Sequence, residues 1–218
     1  VLLHALRQLA CAEGLRLLVC HVNHGLRAES AAEEQAVCAL VRECLRLPLD
    51  VRQAPQRPAE ENIESWARAI RYRLLEEVRR EQNAHVIATA HHEQDQAETL
   101  LFRVLSGRLA RSAQSIASFD RERRLVRPLL YAAKEEIDAY LALHNLDFVT
   151  DSSNADLRRS RNLIRRDLLP LLKKRVNPNI IRGLAVCAAR LNEDEAMIWD
   201  EVRRVFAACP PGDFARWL

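Results

Sequence analysis

Two clusters of polar side chains stand out by type and spacing. His91-His92-x-x-Asp95-x-x-Glu98 opens a helical pattern, and at about 3.6 residues per turn His91, Asp95 and Glu98 share one face. Carboxylates so placed can hold a divalent cation beside a polyphosphate, which is how magnesium is usually bound, with Asp95 as the ligand. Zinc fits less well, because a third soft donor is lacking. Plain capping of a helix N-terminus by acids explains the pattern equally well. The other cluster is His21, Asn23, His24 and Arg27, hydrogen-bonding groups able to line a pocket. A third feature, Arg68-x-x-Arg71-Tyr72, puts two arginines on adjacent helical positions, either as an anion clamp or as a solvated face.

Hydrophobic periodicity supplies the elements that must position these groups. A helix runs from Val1 to about Ala12 and closes at Gly14. Leu15–His21 reads as a buried strand. Ser30–Leu47 reads as a helix with a Ser30/Glu33 capping box. Pro48–Gln53 is a weaker strand, and 54–59 a Pro-punctuated loop. Glu61–Arg80 is helical, with Ile63, Trp66, Ala67, Ile70, Leu74 and Val78 on one face. His85–Ala90 is the clearest buried strand, followed by a helix over His92–Leu105. Strands at Leu125–Leu130 and Leu146–Thr150 alternate with helices at Lys134–His144 and Arg161–Lys174, and the chain is helical from Asn177-Pro178-Asn179 to about Ala208. This alternation predicts an α/β fold, a mostly parallel sheet with helices on both faces. Ligands in such sheets bind outside the carboxyl ends of the strands, which is where both polar clusters fall.

With 218 residues, 49% hydrophobic and 29% charged, the chain is globular and long enough for a substantial core. Net charge is only +3, yet 30 of the 33 basic residues are arginine. Positive charge is concentrated in residues 151–175, where eight basic residues face three acidic ones. A second basic stretch runs from Arg103 to Arg127. Such patches suit RNA, although a solvated surface run is the plainer reading. The alternative for Arg161 and Arg165 is salt bridging to Asp151 or Asp156. No apolar run approaches the roughly 18 residues that span a bilayer, so no membrane association is expected. Six cysteines without a Cys-x-x-Cys pair read as reduced core thiols of a cytoplasmic protein. The chain opens on Val-Leu-Leu-His, with neither Met nor a signal peptide, so an upstream piece is expected to be missing.

Further motifs follow in order: His21-Val22-Asn23-His24-Gly25-Leu26-Arg27; Arg68-x-x-Arg71-Tyr72; Thr89-Ala90-His91-His92-x-x-Asp95-Gln96-x-Glu98-Thr99; Arg127-Pro128-Leu129-Leu130; and Asp151-x-Ser153-Asn154-x-Asp156 with Arg161-Asn162-x-x-Arg165 and Pro170. Together they resemble the tRNA(Ile)-lysidine synthetase family of the PP-loop (N-type ATP pyrophosphatase) superfamily, over about residues 1–175. The resemblance implies an adenine nucleotide alpha-hydrolase-like domain over 1–176, with 177–218 opening a helical second domain. It implies a ligase that uses ATP and Mg2+ to adenylate carbon-2 of the wobble cytidine in the CAU anticodon of tRNA(Ile). Free L-lysine then displaces AMP, giving lysidine. On this reading His91, His92, Asp95 and Glu98 are catalytic, and His21, Asn23, His24 and Arg27 hold the nucleotide. Arg68, Arg71, Asp151, Asn154, Arg161, Asn162 and Arg165 meet tRNA or another substrate. A homodimer is the expected assembly.

Three departures accompany the resemblance. The family's Ser-Gly-Gly-x-Asp-Ser phosphate loop would lie immediately before Val1, so the chain alone is expected to bind ATP poorly and to be inactive. Gln94-Asp95 stands where the family often has two aspartates. The family's glycine-rich turn reads Gly107-Arg108-Leu109-Ala110-Arg111-Ser112-Ala113-Gln114-Ser115, with three glycines lost. An inactive tRNA-binding relative and a tRNA cytidine thiolase of the same superfamily are the alternatives. The thiolase would want clustered cysteines.

Overall fold

The computed structural model describes residues 1–107, 115–146 and 160–208. They form two compact units, Val1–Thr89 with Phe119–Val126, and Ala90–Ser118 with Arg127 onward.

The first unit begins with helix α1 (Leu2–Glu13), which stops at Gly14 in a left-handed conformation with φ 63. Glycine adopts that conformation without a Cβ clash. Strand β1 (Val19–Asn23) pairs in parallel with β2 (Leu49–Gln53), Val19 opposite Leu49 and Asn23 opposite Gln53. The strand therefore starts later than the apolar run at Leu15 suggests. Pairing with the five residues of β2 sets its limits, and Leu15 is left exposed. Between them, α2 (Ser30–Ala39) continues as a π-helical turn over Leu40–Cys44. The expected Ser30/Glu33 capping box does not form: the cap residue is Glu29, and no side chain bonds the helix end.

Helix α3 (Ile63–Glu81) starts two residues later than its periodicity suggests, because Asn62 caps it. The Asn62 carbonyl oxygen accepts from the backbone N–H groups of Glu64 at 3.0 Å and Ser65 at 3.1 Å. Its i, i+4 stripe of Trp66, Ile70, Leu74 and Val78 is buried, each side chain contributing about 2 kcal/mol. Val22, Ala54 and Ala67 pack on this core. Ile63, expected on the same face, is exposed because it lies in the first turn, ahead of the packed stripe.

The predicted buried strand over His85–Ala90 is reduced to β3 (Ile87–Ala88) and is half exposed. β3 pairs in parallel with β5 (Leu125–Val126), which pairs antiparallel with β4 (Phe119–Asp120). β3 has one strand neighbour among the described residues, and Val86 just before it is exposed. β4 is a strand that the sequence did not announce. Its hairpin closes over Arg121–Arg124, and Arg124 takes a left-handed φ of 50.

In the second unit, α4 (Glu93–Leu105) packs against α8 (Ile180–Ala208). Ala97, Ala185 and Ala188 are fully or nearly buried, so small side chains allow close approach. Residues 115–118 are strapped to these helices. Gln96, 1% exposed, donates to the Ile116 carbonyl at 2.7 Å and accepts from the Ile116 N–H at 2.9 Å. The Ser115 hydroxyl donates to the Ala188 carbonyl at 2.8 Å, and Asn192 accepts from the Ser115 N–H at 2.7 Å. Helix α5 (Lys134–Leu143) follows, then α6 (Ser160–Leu163), a π-helical turn at Ile164–Leu168, and α7 (Leu169–Arg175). Pro170 sits in the first turn of α7 and cannot donate to the preceding turn, where the ladder is irregular. Ile164 and Leu169 join Ala97 in the core of this unit.

The five described cysteines are not core residues. Cys11, Cys44 and Cys187 are exposed, Cys20 and Cys38 half-buried, and all five are free thiols. Cys11 lies on α1, which buries no residue. The strand expected over Leu146–Thr150, most of the glycine-turn segment, Asp151 and Asn154 lie outside the described residues.

Candidate functional site

The start of α4 is organised by a reciprocal cap. His92 is extended at φ −132 and its Nδ1 accepts from the Gln94 N–H at 3.3 Å, while Asp95 Oδ2 accepts from the His92 N–H at 2.9 Å. The helix therefore begins at Glu93. His91 precedes the cap and does not share the helical face of Asp95 and Glu98, which corrects the i, i+4, i+7 expectation.

Arg165, projecting from the π-helical turn, joins both acids. Its Nε donates to Glu98 Oε1 at 2.5 Å, and its Nη2 donates to Glu98 Oε2 and Asp95 Oδ1, both at 3.1 Å. Gln94 adds a donor to Glu98 Oε1 at 3.1 Å. The Glu98 side chain is 6% exposed, that of Arg165 35%. Burial works against the Arg165 charge, but the hydrogen bond and charge of Glu98, with the charge of Asp95, raise its pKa above the ordinary arginine value. Two carboxylates and one guanidinium leave a net charge of minus one. They also fix one edge of the guanidinium, through its Nε and Nη2.

As a metal site this cluster does not fit. Both Asp95 oxygens are engaged, one by the cap and one by Arg165. Among the described residues no three His, Cys, Asp or Glu side chains are grouped to share an ion. Glu93, the first residue of α4, which the sequence did not single out, is buried at 7% exposure. Burial is the main cause of its raised pKa; Glu135, Glu136 add to it, and Arg182 and His92 oppose it.

The second cluster lies in the first unit. His21 and Asn23 are within β1 rather than beyond it, and His24 follows directly. Asn23 organises the loop: its carbonyl accepts from the Gly25 N–H at 2.8 Å, and its amide donates to Glu34 Oε2 at 2.8 Å. Gln53 donates to the same Glu34 oxygen at 2.7 Å. These two amides hold the Glu34 carboxyl below its ordinary pKa. Arg27 lies 3.6 Å from Glu33. The His24 ring meets Trp66 edge-on with centroids 5.9 Å apart, and neither ring nitrogen is solvent-accessible or hydrogen-bonded. Burial, then the charges of Arg71 and His21, lower its pKa. His24 is thus a neutral ring packed against the α3 core, and its orphaned nitrogens are the feature here that a ligand could satisfy.

Of the remaining expected contacts, Arg68 and Arg71 are exposed on α3, and Asn162 is half-buried on α6. Arg161 has its backbone on α6, with its side chain outside the described set. Arg127 is buried, 6% exposed, and donates to the Ala117 carbonyl at 2.5 Å, so it fastens residues 115–118. Gln96, Ser115, Asn192 and Glu34 carry structure that the sequence did not flag. Each has a partner 19 or more residues away, a distance at which spacing along the chain carries no signal.

Two small sheets alternate with helices: a parallel β1–β2 pair, and β3–β5–β4 with one parallel and one antiparallel pairing. They carry polar groups after β1 and β3, the pattern of an α/β ligand-binding protein. The chain matches the PP-loop domain family over residues 1–172, and it belongs to that family. It is 41% identical to a tRNA(Ile)-lysidine synthase of Pseudomonas aeruginosa, over 100% of this chain and 50% of the relative. The corresponding protein of Alkalilimnicola ehrlichii is 37% identical, over 97% of the chain and 47% of the relative. The chain spans about half the length of these curated relatives. Among solved structures, the U34-tRNA thiolase NcsA from Methanococcus maripaludis with its [4Fe-4S] cluster has the same fold. Its TM-score is 0.66 at 17% identity, covering 82% of this chain and 63% of that one. No described helix is long and apolar enough to cross a membrane.

Proposed function

We propose that this chain is the ATP-using part of a tRNA-modifying ligase that forms lysidine at the wobble cytidine of the CAU-anticodon isoleucine tRNA. The observation that carries the proposal is a match running the whole length of the chain to relatives named tRNA(Ile)-lysidine synthase. In this reading residues 1–176 are the nucleotide-using domain, and α8 opens a helical second domain.

ATP gives its adenylyl group to the cytidine carbon-2 oxygen with release of pyrophosphate, and the amine of free L-lysine then bonds to carbon-2 as AMP leaves with that oxygen. Negative charge on the departing phosphate must be met by fixed positive groups. His91 and His92, at the start of α4, are proposed for that role, together with the neighbouring Asp95 and Glu98 as the catalytic group. Arg165, held by those two acids, is proposed to meet the substrate. The β1 end, with His21, Asn23, His24 and Arg27, is proposed to face the nucleotide, and Arg68, Arg71, Asp151, Asn154, Arg161 and Asn162 the tRNA. No step is assigned to magnesium, because the acids that would hold it are bound to Arg165.

The test is AMP release that depends on both tRNA and lysine, with lysidine identified by nucleoside mass spectrometry. It is made on this chain and on the chain extended upstream by a Ser-Gly-Gly-x-Asp-Ser loop. Lysidine from the extended chain supports the reading. AMP release without lysine incorporation, or no product from either form, overturns it. Tight ATP binding by the short chain removes the need for an upstream loop.

A further inference from the structure

Two basic elements of the first unit meet at one aromatic ring. On α3, Arg68, Arg71 and Tyr72 occupy neighbouring turns, and the β4–β5 turn brings Arg121, Arg123 and Arg124. The guanidinium carbon of Arg68 lies 5.0 Å from the Tyr72 ring centroid, and that of Arg123 lies 5.9 Å from it. Asp120 orients Arg123 from the other side, accepting from its N–H at 3.0 Å and from Nη1 at 3.3 Å. Even so, the Arg123 side chain is 65% exposed. All five arginines are exposed, whereas Tyr72 is half-buried. Among the described residues Arg71, Arg121 and Arg124 form no ion pair, and the turn itself contributes only Asp120 and Glu122 as acids.

Backbone geometry adds a second observation. Arg124 holds a left-handed φ of 50, a conformation that glycine adopts freely and an L side chain adopts at a cost. The turn would be easier to form with glycine there, yet it presents a further guanidinium.

We propose that this face, the middle of α3 together with the β4–β5 turn, is a contact for the phosphodiester backbone of RNA. Tyr72 is the positioning residue. Its ring gathers guanidiniums from two elements, so that less side-chain freedom is lost when phosphates are met. Planar guanidiniums suit paired phosphate oxygens, and the turn sets three of them against Asp120 and Glu122. The proposal rests on the tRNA reading and extends its surface to Arg121, Arg123, Arg124 and Tyr72.

The experiment measures binding of a CAU-anticodon isoleucine tRNA transcript to the full chain against salt concentration. The variants are R121A/R123A/R124G, Tyr72→Leu and Tyr72→Phe, each with a thermal melt. Gly at 124 suits the turn conformation, so the triple variant keeps its fold. It is expected to flatten the log-log salt slope by about one unit per lost phosphate contact, about two to three in all. Tyr72→Leu should weaken binding and flatten the slope in the same direction, and Tyr72→Phe should restore both, because the ring face is what gathers the arginines. An unchanged slope in the folded triple variant overturns this surface while leaving the tRNA reading in place. A wild-type chain that does not bind the transcript overturns both. Equal losses in Tyr72→Leu and Tyr72→Phe overturn the role given to the ring.

Discussion

At the end of β1, Asn23 uses its amide on Gly25 and Glu34, and His24 lies buried against Trp66. At the start of α4, Asp95 and Glu98 close instead on a charged side chain delivered from sixty-seven or more residues away. The first cluster is held by amide hydrogen bonds, two of them to the Glu34 carboxylate, and by a neutral ring. The second is held by charges that depend on one another. Truncating a neutral loop contact leaves a modest deficit, whereas removing one partner of a half-buried ion triad leaves its acids uncompensated.

The largest expected effect follows from that contrast. Arg165→Ala should destabilise the protein by about 3 kcal/mol, toward the low end for a buried pair because the guanidinium is partly solvated. Urea unfolding measures this, and a loss under about 1 kcal/mol would dissolve the distinction between the clusters. Asp95→Asn keeps an oxygen for the cap and loses the charge facing Arg165, so about 1–2 kcal/mol should be lost. If Asp95 also serves the reaction, tRNA-dependent AMP formation in the loop-extended chain should fall far more than the melting temperature. Near-normal turnover with a small stability loss would leave Asp95 only its cap and its ion pair.

Asn23→Ala should lower Tm by about 2–4 °C, the scale of a single modest loss in a chain of this size. No change in the melt would mean that the Gly25 turn holds itself. The smallest effect is expected at His24. Replacing a ring whose nitrogens lack partners by Phe should stabilise by about 1 kcal/mol or less at neutral pH. The pH response sharpens this. The folded-state pKa of His24 lies below the ordinary 6.5, so the unfolded chain binds the proton more readily. Stability should therefore fall as pH drops from about 6.5 through the lowered value, and His24→Phe should flatten that fall. Equal acid sensitivity in both proteins would show that the ring finds a partner.

Much of the scaffold was legible because its signals are local. The i, i+4 stripe of α3, the glycine stop of α1, and the alternation of strands and helices each depend on residues a few positions apart. Strand limits were less legible, since pairing decides them. β1 begins at Val19 because β2 begins at Leu49, and β3 shrinks to two residues for want of a second neighbour among the described ones. β5 lies within the strand expected over Leu125–Leu130, but β4 and the hairpin it makes were missed, because β4 is two residues long and the turn carries Arg124 where glycine would have announced it.

The sequence by itself determined which side chains stand at the ends of β1 and β3, because alternation and capping follow from neighbours along the chain. It also determined the match to the PP-loop family across residues 1–172. Only the tertiary structure decided what those side chains do with their charge. Arg165 meets Asp95 and Glu98 through packing of the π-helical turn on α4, and Arg123 meets Tyr72 through pairing of β4 with β5. Electrostatic partnership depends on distance in space, and separation along the chain does not encode it.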